Sequence, residues 1–142
     1  MNPKIWGPHA WIFLHTITLN YPDNPTPKQK KEYKKFFESL ADIIPCDKCK
    51  FNYQKKIKSN PINVESRMDL VQWLLNIHND VNRSNGKSEL TMKEFIKKYK
   101  EIYSNFEEKT NKQNYIKIDK KYINYFIIVI ILLIIYSFFY KK

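Results

Sequence analysis

Both cysteines of this chain fall in one short stretch, Ile44-Pro45-Cys46-Asp47-Lys48-Cys49, so any thiol chemistry happens there. A Cys-x-x-Cys is either a redox pair or half of a metal site. A four-cysteine zinc site is excluded, because no second pair exists. Zinc held by Cys46, Cys49 and two of the three histidines stays open, although the spacing fits no standard finger. Two buried, inert thiols stay open as well. Pro45 suits the first turn of a helix, where its missing N–H would have had no partner. The pattern therefore predicts Cys46 at a helix N-terminus, where the dipole favours the thiolate. That placement favours the redox pair.

Three other segments gather side chains suited to a flat aromatic ligand. In Trp6-Gly7-Pro8-His9-Ala10-Trp11-Ile12-Phe13-Leu14-His15, Trp11 and His15 are four apart and share a helix face. Between Trp73 and Asn82, the side chains of His78, Asn79 and Asn82 form a polar patch beside an apolar stripe. Gly86-Lys87 follows where that helix should end. Indole and imidazole faces stack on rings, amide side chains hydrogen-bond ring edges, and a lysine neutralises phosphate. Singly, each has a plainer role as a core tryptophan, a satisfied histidine or a solvated asparagine.

Helices must position these groups. The first is predicted over about Pro8–Leu19, with Trp11, Leu14, His15 and Thr18 on one face. After a proline-rich loop, Thr26 caps and Pro27 opens the second. Its inward stripe is Tyr33, Phe36, Phe37, Leu40, Ile43 and Ile44. The third starts at Pro45 and carries both cysteines. The fourth runs from about Val64 to Asn85, buries Leu70, Trp73, Leu74, Ile77 and Val81, and ends at Gly86. Thr91-Met-Lys-Glu94 is a capping box for a fifth, with Phe95, Ile96, Tyr99, Ile102 and Phe106 facing inward. The expected fold is all-α, a compact four- or five-helix bundle followed by a transmembrane helix.

Composition narrows the partners. The formal net charge is +11, with lysines spread over several helices. Nucleic-acid binding would also want a groove-reading motif, and none is visible, so no nucleic-acid partner is expected. The two glycines fall at helix boundaries, which argues against a glycine-rich phosphate loop. Residues 125–140 are almost purely apolar, and with Tyr122 and Ile123 they reach the roughly 20 residues that cross a bilayer. Aromatic residues and lysines flank both ends. The expected division is a catalytic domain over 1–106, a polar linker over 107–121 and a membrane span over 122–140. With no signal peptide at its start, the chain is expected to be a single-pass tail-anchored protein whose domain faces the cytosol, on a host or virion membrane if the source is viral.

Taken together, these segments resemble the Erv/ALR family of FAD-linked sulfhydryl oxidases, including members from large DNA viruses. The matching elements are Gly7-x-x-x-Trp11-x-x-x-His15, Tyr21-Pro-Asp-x-Pro-Thr-Pro27, Pro45-Cys46-x-x-Cys49 and Trp73-x-x-x-x-His78-Asn79-x-Val81-Asn82-x-x-x-Gly86-Lys87, in the family's order and spacing. The resemblance implies a helical bundle that binds FAD and forms a homodimer. It implies a cofactor set of Gly7, Trp11, His15, Cys49, Trp73, His78, Asn79, Val81, Asn82 and Lys87, with Lys98 and Tyr99 closing over it. No metal is implied. Cys46 would be the outer sulfur, attacked by substrate, and Cys49 the sulfur beside the flavin. Electrons would pass through the flavin to molecular oxygen, giving hydrogen peroxide. Pro8 stands where many members have arginine. The shuttle cysteines of many members are missing, so a protein dithiol, plausibly thioredoxin-like, would have to dock at Cys46 itself. The rival expectations are a flavin-free thiol–disulfide exchange protein and a tail-anchored interaction module with a structural or zinc-binding cysteine pair.

Overall fold

The computed structural model describes residues 1–114 and 120–140, and side chains outside 106–120. Its elements are helices throughout the described residues: α1 (Pro3–Leu19), α2 (Pro27–Ile43), α3 (Asp47–Ser59), α4 (Arg67–Ser84), α5 (Met92–Asn114) and α6 (Lys120–Tyr140).

Side-chain caps set most of the starts. Thr26 and Gln29 form a reciprocal capping box at α2, with Pro27 in the first turn. Thr91 and Glu94 repeat the device at α5. Three starts differ from expectation. α1 begins at Pro3, because the Asn2 side chain accepts the Lys4 N–H, and the helix tolerates Pro8 inside it. α4 begins at Arg67, where Ser66 accepts the Asp69 N–H, and not near Val64. α3 begins at Asp47: Pro45 lies outside it and Cys46 is its cap.

The chain divides into two compact units, Met1–Ile96 and Lys97–Lys142. In the first, α1 packs on α4 and α2 on α3. Its core joins Tyr21, Phe37, Leu40, Tyr53, Leu70, Trp73, Leu74 and Ile77, with Trp11, Leu14, Tyr33 and Phe36 against it. Phe37 is fully buried, and replacing it with alanine would cost about 3–5 kcal/mol. Tyr21 reaches from the proline-rich loop to donate its hydroxyl to the Val64 carbonyl at 2.8 Å, tying that loop to the approach to α4. Two expected core residues are exposed, Ile43 at 65% and Val81 at 36%. Both sit in the last turn of their helices, where the 3.6-residue period still repeats but no neighbouring element covers it.

In the second unit, α5 stays helical to Asn114, through the first half of the expected linker. Residues 115–119, the middle of that linker, lie outside the described residues. Along α5, Tyr99 is buried and Ile102 half-buried; the side chain of Phe106 is not described. In α6, the 20-residue stretch Lys121–Tyr140 holds an 18-residue window of mean hydropathy 2.4, none of it buried. By length and composition this helix could cross a bilayer: twenty residues at about 1.5 Å each match its roughly 30 Å of hydrocarbon.

Candidate functional site

At the thiol end, local backbone rules place the sulfurs. Ile44 precedes a proline, which keeps it out of helical φ/ψ, and it adopts φ −54°, ψ 124°, ending α2. Cys46 then swings into an extended conformation (φ −161°, ψ 111°), and its sulfur accepts the Cys49 N–H at 3.2 Å. A sulfur fills the role usually taken by a serine or aspartate oxygen. Cys46 and Cys49 are joined as a disulfide with Cα atoms 5.1 Å apart, and both are half-buried. When the bond is reduced, any charge on Cys46 meets the N–H groups and positive end of α3.

The helix carrying the disulfide is strapped to its neighbours. Tyr53 donates its hydroxyl to the Phe37 carbonyl at 2.8 Å, and Gln54 its amide to the Ala41 carbonyl at 3.0 Å. Burial pushes the Tyr53 phenol well above its usual range, so it stays a donor. From α3, Lys56 pairs with Asp80 on α4 at 2.5 Å. The Trp73 indole N–H binds the Asn60 carbonyl just past the end of α3 at 3.0 Å.

The second end lies between α1 and α4. Trp11 stacks face to face on His78, with centroids 4.0 Å apart and planes 7° from parallel. His15 Nε2 and His78 Nδ1 are 3.0 Å apart, so one ring donates and the other accepts. Phe95, at the start of α5, lies 4.7 Å from the His15 ring. His15 is fully buried, His78 is 8% exposed, and Trp11 is half-buried. Four planar groups thus cluster around the His15–His78 hydrogen bond.

Past this cluster the C-terminal end of α4 is folded back on itself. Gly86, at φ 67°, turns the chain in a region that favours glycine, and the Lys87 N–H returns to the Asn82 carbonyl at 2.9 Å. Asn79 holds the segment beyond. Its amide donates to the Leu90 carbonyl and its oxygen accepts the Leu90 N–H, both at 2.9 Å. Asp80 is shared between Lys56 and Arg83, and Arg83 also grips Glu89. The hydrogen bond from Lys56 holds the Asp80 carboxyl below its usual range, with Arg83 adding to the effect.

Of the residues expected to act together, Trp11, His15 and His78 are in mutual contact. Trp73 packs in the core, edge-on to Phe37 and 3% exposed. Asn79 has both polar ends engaged by Leu90, while Asn82 is half-buried and Lys87 exposed. A Cβ at Gly7 would meet nothing within 4 Å. Val81 is 36% exposed. Lys98 is exposed and Tyr99 buried, and both belong to the second unit. Sequence spacing missed the Asp80–Lys56 pair and the Leu90 backbone. No local pattern signals either one, since in each the partners lie well beyond one helical turn of each other in sequence.

The sequence model of the Erv1/Alr family matches residues 8–104, more than half of the chain. The chain is 42% identical over 99 residues to a probable FAD-linked sulfhydryl oxidase of Acanthamoeba polyphaga mimivirus, covering 68% of this chain and 69% of that one. It is 41% identical over 81 residues to the FAD-linked sulfhydryl oxidase ERV1 of Arabidopsis thaliana, which covers 57% of this chain and 42% of the plant protein, less than half of its length. Among solved structures, the FAD binding domain of Erv1 from Saccharomyces cerevisiae superposes with a TM-score of 0.67 at 34% identity, covering 71% of this chain and 96% of that one.

Proposed function

Because this chain belongs to the Erv1/Alr family, we propose that it is an FAD-dependent sulfhydryl oxidase that makes disulfides in substrate proteins through Cys46 and Cys49. The observation that carries this is the Cys46–Cys49 disulfide at the N-terminus of α3, with Cys46 as the helix cap. A substrate thiolate attacks Cys46 Sγ, the Cys46–Cys49 bond breaks, and Cys49 leaves as a thiolate. A second substrate thiol then attacks the substrate sulfur of the mixed disulfide. It forms the substrate's disulfide and expels Cys46, whose developing charge is met by the Cys49 N–H and the helix terminus. Two electrons now rest on the cysteine pair. Bound FAD supplies the remaining chemistry, carrying that electron pair to molecular oxygen and yielding hydrogen peroxide.

The residues present fit such a cofactor. A flat ring system needs planar neighbours and a dry wall, which the stacked Trp11 and His78 and the buried His15 and Phe95 supply. A diphosphate needs a cation, and Lys87 is exposed where the chain returns to α4. Trp11, His15, His78, Asn82 and Lys87 would hold the cofactor directly. Asn79 and Trp73 would support it from behind, since their polar atoms hold Leu90 and Asn60. Gly7 and Val81 complete the proposed set, and Cys49 is the pair's inner sulfur. Purified protein should be yellow, with about one flavin per chain, and should consume oxygen when given a dithiol. A folded, colourless preparation that stays colourless after FAD is added would sink this reading.

We further propose that α6 anchors the domain in a membrane, supported by its length and uncovered apolar surface, with the domain on the cytosolic side. Carbonate extraction and protease protection test the two claims separately. A homodimer is proposed too, supported by the exposed Ile5, Ile12 and Phe13 of α1; sedimentation in neutral detergent tests it. The substrate is a protein dithiol, plausibly of a thioredoxin-like kind.

A further inference from the structure

The outward face of α3 is rich in lysine. The helix carries five lysines in the run Asp47-Lys-Cys-Lys-Phe-Asn-Tyr-Gln-Lys-Lys-Ile-Lys-Ser59. Two of them are neutralised: Lys50 by Asp47 at 3.1 Å and Lys56 by Asp80. Among the described residues, Lys48, Lys55 and Lys58 enter no ion pair within 4.0 Å, and all three are exposed. By the 100° step of a helix these three share one face with Phe51, opposite the face on which Tyr53 packs. Phe51 is 56% exposed, with the Lys55 ammonium 4.3 Å from its ring centre. The stripe starts between the two cysteines at Lys48 and runs the length of the helix.

A surface of unneutralised cations around one exposed aromatic ring costs the folded protein self-repulsion and solvated apolar area, and nothing inside the domain recovers either. A partner of opposite charge would recover both. The stripe begins at Lys48, two residues past the helix cap Cys46, so a partner seated on it ends at the helix terminus that carries the sulfur. From this we infer that the Lys48–Phe51–Lys55–Lys58 face of α3 is the docking surface for the substrate, and that the substrate is a protein whose dithiol is flanked by an acidic segment with an apolar anchor. This rests on the oxidase reading above and names its substrate class. Acidic flanks would align the substrate along α3 and raise its encounter rate. The anchor would cover Phe51, and the thiolate would be delivered to Cys46 without a shuttle arm.

The experiment uses the full chain with its flavin, in neutral detergent. Two peptides with the same Cys-x-x-Cys core are compared, one flanked by aspartate, glutamate and a leucine, the other by lysine and the same leucine; dithiothreitol is the third substrate. Oxygen consumption gives kcat and KM for each. The test variant is Lys55→Glu with Lys58→Glu, one to three turns from the cysteines, so that the charge at the sulfurs themselves is little changed. The acidic peptide should exceed the basic one at least about tenfold in kcat/KM, mostly through KM, and the gap should close in about 0.5 M salt, where screening acts within about 4 Å. In the variant the preference should vanish or invert, while dithiothreitol turnover stays within twofold. Phe51→Ser should lower kcat/KM for the acidic peptide and leave dithiothreitol alone. Equal turnover of the two peptides by the native chain would overturn the docking proposal. So would a charge reversal that alters only the rate of association with phosphatidylserine vesicles, which would make the face a lipid contact instead. Loss of oxygen consumption with every thiol, dithiothreitol included, would count against the oxidase reading itself.

Discussion

Along α4, Trp73, Ile77 and His78 are 3%, 2% and 8% exposed, whereas α3 buries Tyr53 and presents Lys48, Phe51, Lys55 and Lys58 to solvent. On the proposed reading the two helices carry the two halves of one chemistry. A rigid planar cofactor gripped on α4 suits the partners found there, which are dry, stacked and hydrogen-bonded to one another. On α3 a large and variable partner must arrive, so the sulfurs sit at a helix end, half open, in a field of cations. Low dielectric strengthens every interaction at the first site. At the second, burial would only exclude the substrate.

The sharpest break of this contrast comes at the sulfurs. Cys46→Ser and Cys49→Ser should each lower thiol-dependent oxygen consumption by at least about a thousandfold, roughly 4 kcal/mol in barrier. Flavin content should stay near native in both, and Cys46→Ser keeps the start of α3 capped, with serine in place of the sulfur. A parallel loss of flavin would show that the two ends are not separable.

At the dry end the order reverses, with structure lost before chemistry. His78→Ala removes the stacking partner of Trp11 and leaves His15 without its hydrogen bond from α4. A destabilisation of about 3 kcal/mol is expected, together with loss of bound flavin, read by denaturant titration and the visible spectrum. Unchanged stability would mean that the stack is not part of the fold.

Asn79→Ala cuts both bonds to Leu90, and about 2 kcal/mol should follow. Its particular signature is faster amide exchange at Leu90, whose N–H loses its acceptor, with the thiol reaction of the cysteine pair unaltered in rate. If exchange at Leu90 does not change, the pairing is not formed in solution.

The smallest effect is expected at the joint between the two ends. Asp80→Asn removes the Lys56 pair and should cost about 1 kcal/mol, near the upper limit for partly exposed ion pairs. The Asp80 carboxyl is held below its ordinary value of 3.8 by the Lys56 bond. Its contribution is therefore complete above that value and disappears as pH falls below it through the folded-state pKa. The native protein and the variant should differ in stability at neutral pH and converge in strong acid. A gap that persists there would assign the loss to packing.

The helices, the cap at Thr26, the capping box at Thr91, the apolar tail and the Cys-x-x-Cys are all local, and so they are legible in the chain. A helical period or a cap needs only residues three or four apart. The same locality explains the errors. Periodicity marked Ile43 and Val81 as core, because it counts positions along one helix and says nothing of where the neighbouring element stops. Proline suits a first turn, which predicts that α3 opens at Pro45; the extended Cys46 and its sulfur-to-Cys49 bond set the start two residues later.

What the amino-acid sequence by itself determined is the set of reactive groups, the helical class and, through motif spacing, the family. What tertiary structure alone decided is which of those groups meet and which serve as scaffolding. His15 and His78 become one hydrogen-bonded pair only when α1 lies on α4. Asn79 becomes a clamp on Leu90, and Trp73 an anchor for Asn60, only when the intervening chain has turned back. The lysines of α3 divide into paired and unpaired only once Asp80 is brought opposite Lys56. A side chain's type fixes the bonds that it is able to make. Which of those bonds forms depends on the position of a partner far away in the chain, and no local pattern encodes that position.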